Sequence, residues 1–119
     1  MGIAYHGNFL AFFETGRVEA MRQIGSHYVE IVRRGVHLVV IEATVRYRQP
    51  AKFDDVLLIQ TSVAEIGKAR FSFVYEIRRE VDEALIASGH TVHACVDAQS
   101  LRPLRVPAWL VEDLLRLKA

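Results

Sequence analysis

The sequence contains a single cysteine, Cys95, in 119 residues. One cysteine closes no internal disulfide, which places the chain in a reducing compartment and leaves its stability to packing. No cysteine–histidine cluster offers a structural zinc site. Of the five histidines only His90 and His93 stand close together. Three apart on a strand, these two face opposite ways and make a poor metal pair. Neither sign of charge dominates: 15 Lys and Arg against 14 Asp and Glu leave a net charge of +1. That balance gives no electrostatic reason to expect nucleic acid or a membrane surface as partner. Long apolar runs are lacking too. The run 9–13 stops at Glu14 and the run 38–41 stops at Glu42, both far too short to span a bilayer. No basic stretch precedes the first run, so the N-terminus does not read as a signal peptide. A cytoplasmic protein is the resulting expectation. There is no Gly-x-Ser-x-Gly elbow, which excludes that route to a serine hydrolase.

What is present suits one domain with a real core: 51% of residues are apolar and 24% charged. Residues 7–24 read as a helix, with Asn8 as cap and Gly25 as stop. Phe9, Leu10, Phe12, Phe13, Val18, Met21 and Ile24 spread round much of its circumference, the pattern of a helix buried on most sides. A second helix fits 26–34, capped by Ser26 and closed by Gly35. The period then changes to two. Val39, Ile41, Ala43, Val45 and Tyr47 alternate with Val40, Glu42, Thr44 and Arg46 as one buried face of a strand that ends at Pro50. Further strands fit 56–65, 71–78 and 84–97, separated by Gly67 and by the polar turn Val81-Asp82-Glu83. Gly89, inside the last, marks a bulge or a close backbone approach. Residues 97–107 read as a loop and 108–117 as a terminal helix. Short connections make the strands antiparallel, so the fold class is α+β: an antiparallel sheet folded over one apolar helix. An exposed strand edge invites a partner, and the last strand or its neighbour is expected to pair across a two-fold axis.

Four stretches carry a family resemblance. Gly2-Ile3-Ala4-Tyr5-His6-Gly7-Asn8-Phe9 through Phe13-Glu14-Thr15-Gly16-Arg17 is followed by Tyr47-Arg48-Gln49-Pro50-Ala51, then by Gly67-Lys68-Ala69-Arg70-Phe71. The last is Gly89-His90-Thr91-Val92-His93-Ala94-Cys95-Val96-Asp97 with Arg102-Pro103 and Val106-Pro107. In this order they resemble the 4-hydroxybenzoyl-CoA thioesterase family, most of all its YbgC-type acyl-CoA thioesterase branch, over essentially the whole chain. The resemblance implies a hotdog fold, hydrolysis of acyl-CoA thioesters and no metal or organic cofactor. It also implies a homodimer or homotetramer with active sites at subunit interfaces. The family's catalytic Asp sits three residues before the glycine that matches Gly2, two positions ahead of Met1. Its first strand lies further upstream. Met1 is therefore read as an internal methionine, and residues 1–119 as one hotdog domain lacking that strand and the Asp loop.

Thioester hydrolysis needs a carboxylate to activate water or attack, and donors for the developing oxyanion. A helix N-terminus supplies such donors. Matched residue by residue, the carbonyl-polarising backbone N–H falls on His6, whose imidazole also orients water or the carboxylate; the alternative is that His6 packs or caps. Tyr5 is expected to wall the pocket, and Asn8 to cap the helix or bond substrate. Glu14, flanked by Leu10 and Val18 on its own face, is either an ion-pair partner of Arg17, the preferred reading, or the working carboxylate, as in another hotdog branch. Lys68, Arg70, Arg102 and Arg105 are candidates for the CoA phosphates. Thr91 and Ser88, beside Gly89, either bond the pantetheine arm along a sheet edge or only pack. Cys95 reads as a small buried apolar residue rather than a nucleophile. Two other functions compete: a module that holds acyl-CoA or an acyl-carrier protein without hydrolysing it, and a hydratase or dehydratase on the same fold.

Overall fold

The computed structural model describes residues 6–52 and 54–118, with the side chains of the first helix described from Phe9 onward. Two helices, α1 (His6–Gln23) and α2 (Tyr28–Arg33), precede four long strands: β1 (Val36–Tyr47), β2 (Leu57–Ile66), β3 (Arg70–Arg79) and β4 (Leu85–Asp97). A two-residue strand, β5 (Pro103–Leu104), and a helix, α3 (Ala108–Leu115), complete the chain. All strand pairs are antiparallel, in the order β1-β4-β3-β2, with β5 on β4. β4 is thus central and cannot reach a symmetry mate. Of the two strands named for that role only its neighbour β1 lies at an edge. At the other edge, the Val63 amide donates to the Leu117 carbonyl at 2.9 Å, so the chain end covers part of β2.

α1 lies against the inner face of the sheet. Phe9, Phe13, Ala20, Met21 and Ile24 are buried, close to the i, i+4 spacing of one helical face. Phe13 stacks on Tyr75 with centroids 4.3 Å apart, and both are fully enclosed. Gly16 permits the approach, since a Cβ there would lie 2.5 Å from Thr61 Oγ1. Burial on most sides is not what a single chain achieves: Leu10, Glu14 and Val18, one turn apart, form an exposed seam. Among the described residues α1 runs from His6, so Asn8 lies within the helix and is not its cap. Gly25 and Gly35 close the two helices at φ +86° and +87°, conformations that side chains disfavour.

Ser26 is not the cap of α2. His27 takes that place, its Nδ1 accepting from the Val29 amide at 3.3 Å. Ser26 is instead buried and hydrogen-bonded to the Asp113 carboxylate of α3. The single alternating face expected for β1 is also broken. The register shifts between Val40 and Glu42, so Ile41 is an extra residue. Val36, Leu38 and Val40 pair with the inward positions of β4 up to His93, and Ala43, Val45 and Tyr47 pair with those from Thr91 back to Ala87. A period-two reading carries one parity through a bulge, and the bulge exchanges it. β5 falls within the expected loop 97–107; two residues held by tertiary pairing leave no periodic signal.

Candidate functional site

The first turn of α1 is where backbone donors are available, because its leading N–H groups have no intrahelical acceptors. Phe9 fixes this end against β1, its ring 5.2 Å from that of Tyr47. The His6 and Asn8 side chains, and Tyr5 altogether, lie outside the described residues. From His6 to Glu14 is eight residues, about 12 Å at 1.5 Å per residue.

A cavity of about 420 Å³ opens between the exposed seam of α1 and the first half of β1. Met21, Ile31, Leu38, Val40 and Phe73 make it mostly apolar, and Glu14, Arg17 and His93 give it a polar side. The expected Glu14–Arg17 ion pair is absent among the described residues, and Glu14 is exposed. Arg17 lines the cavity instead, close enough to Tyr75 for its charge to act on the hydroxyl. That hydroxyl lies 2.7 Å from Thr91 Oγ1, which lies 2.8 Å from His93 Nε2. Tyr75, Thr91 and His93 are buried to 1, 2 and 3% exposure, so the bonds between them are what makes their burial tolerable. Burial raises the Tyr75 hydroxyl above its ordinary value, opposed by Thr91 and Arg17. Burial, helped by the Arg17 charge, lowers His93 to about 4. Cys95 is buried as well, and its thiol is pushed up to about 11, away from nucleophile chemistry.

Thr91 thus lies on a central strand with its hydroxyl bonded to Tyr75 and His93. Ser88 lines a shallower depression of about 830 Å³ on the opposite face of the sheet, with Arg46, Gln60 and His90. There His90 Nε2 meets Glu42 at 3.0 Å while His93 points inward, the opposed facing that their spacing predicts. Lys68, Arg70, Arg102 and Arg105 are exposed and come to one end of the sheet. The Val106 amide donates to the Lys68 carbonyl at 2.7 Å, and the Asp97 amide to that of Arg102. The start of α1 lies at the other end, near the Tyr47–Ala87–Ile77 row. From Phe71 to Ile77 is six residues, about 20 Å at ~3.3 Å per residue. Within one chain the four cations and the helix N-terminus do not share a site.

Residues 1–114 match the family model of the thioesterase-like superfamily. The chain belongs to that family. It is 29% identical to the acyl-CoA thioester hydrolase YbgC of Escherichia coli, over 94% of this chain and 83% of that one. It is 27% identical to a putative acyl-CoA thioesterase, YneP, of Bacillus subtilis, over 88% and 75%. A solved structure of a hypothetical protein from Thermus thermophilus superposes with a TM-score of 0.88 at 31% identity, covering 98% of this chain and 88% of that one. The fold is the hotdog fold, as the resemblance implies. No helix among the described residues is long and apolar enough to cross a membrane.

Sequence reasoning missed Tyr75 and His93 as site residues and saw Arg17 only as a partner for Glu14. A signal existed: Tyr75, Thr91 and His93 occupy buried positions of alternating strands, where hydroxyl or imidazole groups need partners. His93 also predicts a pH response. Its folded pKa lies below the ordinary 6.5, so the unfolded chain binds more protons between pH 6.5 and 4. Its contribution is complete above pH 6.5 and is lost as the pH falls toward 4, by up to about 3 kcal/mol. Urea unfolding at pH 6.5 and 4.5 is expected to reveal this loss, and His93→Gln is expected to flatten it.

Proposed function

We propose that the protein hydrolyses acyl-CoA thioesters to the free acid and CoA. The family match over residues 1–114 carries this reading, and relatives bearing acyl-CoA hydrolase and thioesterase names support it. Water adds to the carbonyl carbon, the C–S bond breaks, and the sulfur leaves as the CoA thiol with a proton. Charge collects on the carbonyl oxygen, and the first-turn N–H groups of α1, His6 foremost, receive it. The resemblance adds Tyr5 as a pocket wall and Asn8 as a cap or a partner of substrate. The attacking water needs a carboxylate. The resemblance puts an Asp ahead of Met1, and Glu14 is the carboxylate lining the cavity.

A gap of about 12 Å between the His6 amide and Glu14 is too long for one carbonyl to meet both in one chain. A second copy closes it. β1 is an edge strand, bordered by exposed Leu10, Val18 and Val40. Pairing β1 with its own symmetry mate lays the start of one α1 beside the cavity of the other, and brings the partner's cationic end toward the same place. CoA phosphates would meet Lys68, Arg70, Arg102 and Arg105 there. The working unit is then a homodimer, alone or within a tetramer, in the cytoplasm. An acyl-carrier protein would present the same thioester on the same pantetheine arm.

The test uses the full-length protein, with any segment ahead of Met1, and follows thiol release from acyl-CoAs. Saturable binding without release would replace hydrolysis by a holding role. Glu14→Gln is expected to leave stability within about 0.5 kcal/mol, since Glu14 is exposed and has no partner among the described residues. Turnover should fall by less than about tenfold, with the pH–rate profile kept. A loss of about 10²–10⁴ would instead make Glu14 the working carboxylate.

A further inference from the structure

The chain of groups behind the cavity has a direction. A guanidinium carries donors and no acceptor, so with Arg17 acting on the Tyr75 oxygen, Thr91, 2.7 Å away, is the neighbour that can take the phenol proton. Thr91 accepts that proton, and its own hydrogen goes to the remaining neighbour, His93 Nε2. An imidazole that accepts at Nε2 and stays neutral carries its hydrogen on Nδ1. Among the described residues nothing accepts from that Nδ1. Nor is it among the fully enclosed atoms without a partner, which fits the place of His93 on the cavity wall. Arg17 lines the same wall with no acidic partner among the described residues. The inner polar side of an otherwise apolar cavity therefore presents N–H donors: the spare ones of Arg17 and the Nδ1–H of His93.

We propose that this cavity takes the acyl group of the thioester and that Arg17 and His93 select acyl groups bearing an oxygen acceptor at their far end. A plain alkyl end fills the apolar walls but leaves the donors without partners, and unpaired buried donors are costly. A far-end keto, hydroxyl or carboxylate oxygen satisfies them. A cavity of about 420 Å³ suits an acyl group rather than a whole CoA. This assignment rests on the thioesterase reading for the identity of the ligand, and its test is arranged to stand apart from turnover.

Thioether analogues, which bind but cannot be hydrolysed, are titrated calorimetrically into the full-length protein. The thioether analogue of hexanoyl-CoA is compared with counterparts carrying a keto, hydroxyl or carboxyl oxygen at the far end. At least one oxygenated analogue is expected to bind about ten- to hundredfold more tightly than the alkyl one, the range for a hydrogen bond to a charged group. A best ligand with a carboxylate would assign the selection to the Arg17 charge; a keto or hydroxyl best ligand would assign it to neutral acceptance beside Glu14. Arg17→Met is expected to collapse the ratio and His93→Gln, which keeps a donor, to retain part of it. Should Arg17→Met not fold, Arg17→Lys, which keeps charge and loses the fork, reads the same ratio. Equal affinity for all analogues in the wild-type protein overturns the assignment even if every thioester is hydrolysed. Preference without hydrolysis upholds it and overturns the catalytic reading instead.

Discussion

His6→Pro is expected to slow thioester hydrolysis about 10²–10³-fold relative to His6→Ala, the usual cost of removing one oxyanion donor. Alanine keeps the backbone N–H at position 6, and proline deletes it. His6 lies in the first described turn of α1, where leading N–H groups lack an intrahelical acceptor and proline is best tolerated. Circular dichroism and unfolding midpoints should therefore match between the two variants while turnover differs. Equal turnover by both would remove the helix N-terminus from the mechanism and direct attention to the side-chain donors of the cavity.

Gly89→Ala is expected to cost about 3 kcal/mol or more, the upper range for overpacking a core. A Cβ at position 89 would run into the Thr44 carbonyl oxygen and lie 2.5 Å from Cε2 and 2.7 Å from Cζ of Phe13. Neither neighbour gives way cheaply. Thr44 belongs to the paired backbone of β1, and Phe13 is fully enclosed and stacked on Tyr75. Displacing Phe13 would tilt α1 and carry Arg17 away from Tyr75. Gly25→Ala is the control. Its Cβ meets nothing within 4 Å, so only the positive φ is strained, at about 1 kcal/mol. Denaturant midpoints decide the matter: equal losses in the two variants would mean that the packing of α1 on β4 is looser than described.

Much of this molecule is written in local pattern. The long helix, the four long strands and their boundaries within a few residues follow from hydrophobic period, glycine stops and turn residues, because these signals are local in the chain. Gly89 in a strand reads as a bulge or a close approach, of which the structure makes it the second, and the opposed facing of His90 and His93 follows from strand geometry alone. The inert character of Cys95 was legible too. The motif order pointed to the family before any fold was on hand.

Other features arise only when distant segments meet. Ile41 looks like one more apolar residue in an alternating run, and only pairing with β4 reveals it as the bulge that resets the inner face. Glu14 and Arg17 have the spacing of an ion pair. A buried phenol on β3 offers Arg17 a partner that no i+3 rule contains, and the pair does not form. Lys68, Arg70, Arg102 and Arg105 do come together, yet at the opposite end of the sheet from His6, a separation that motif spacing cannot express. Sequence by itself determined the elements, the fold class and the family. Tertiary structure alone decided that Tyr75 is buried against Thr91 and His93, since the cost of burying the three is met by a bond from β3 to β4 between residues 16 positions apart, continued by one between Thr91 and His93 along β4.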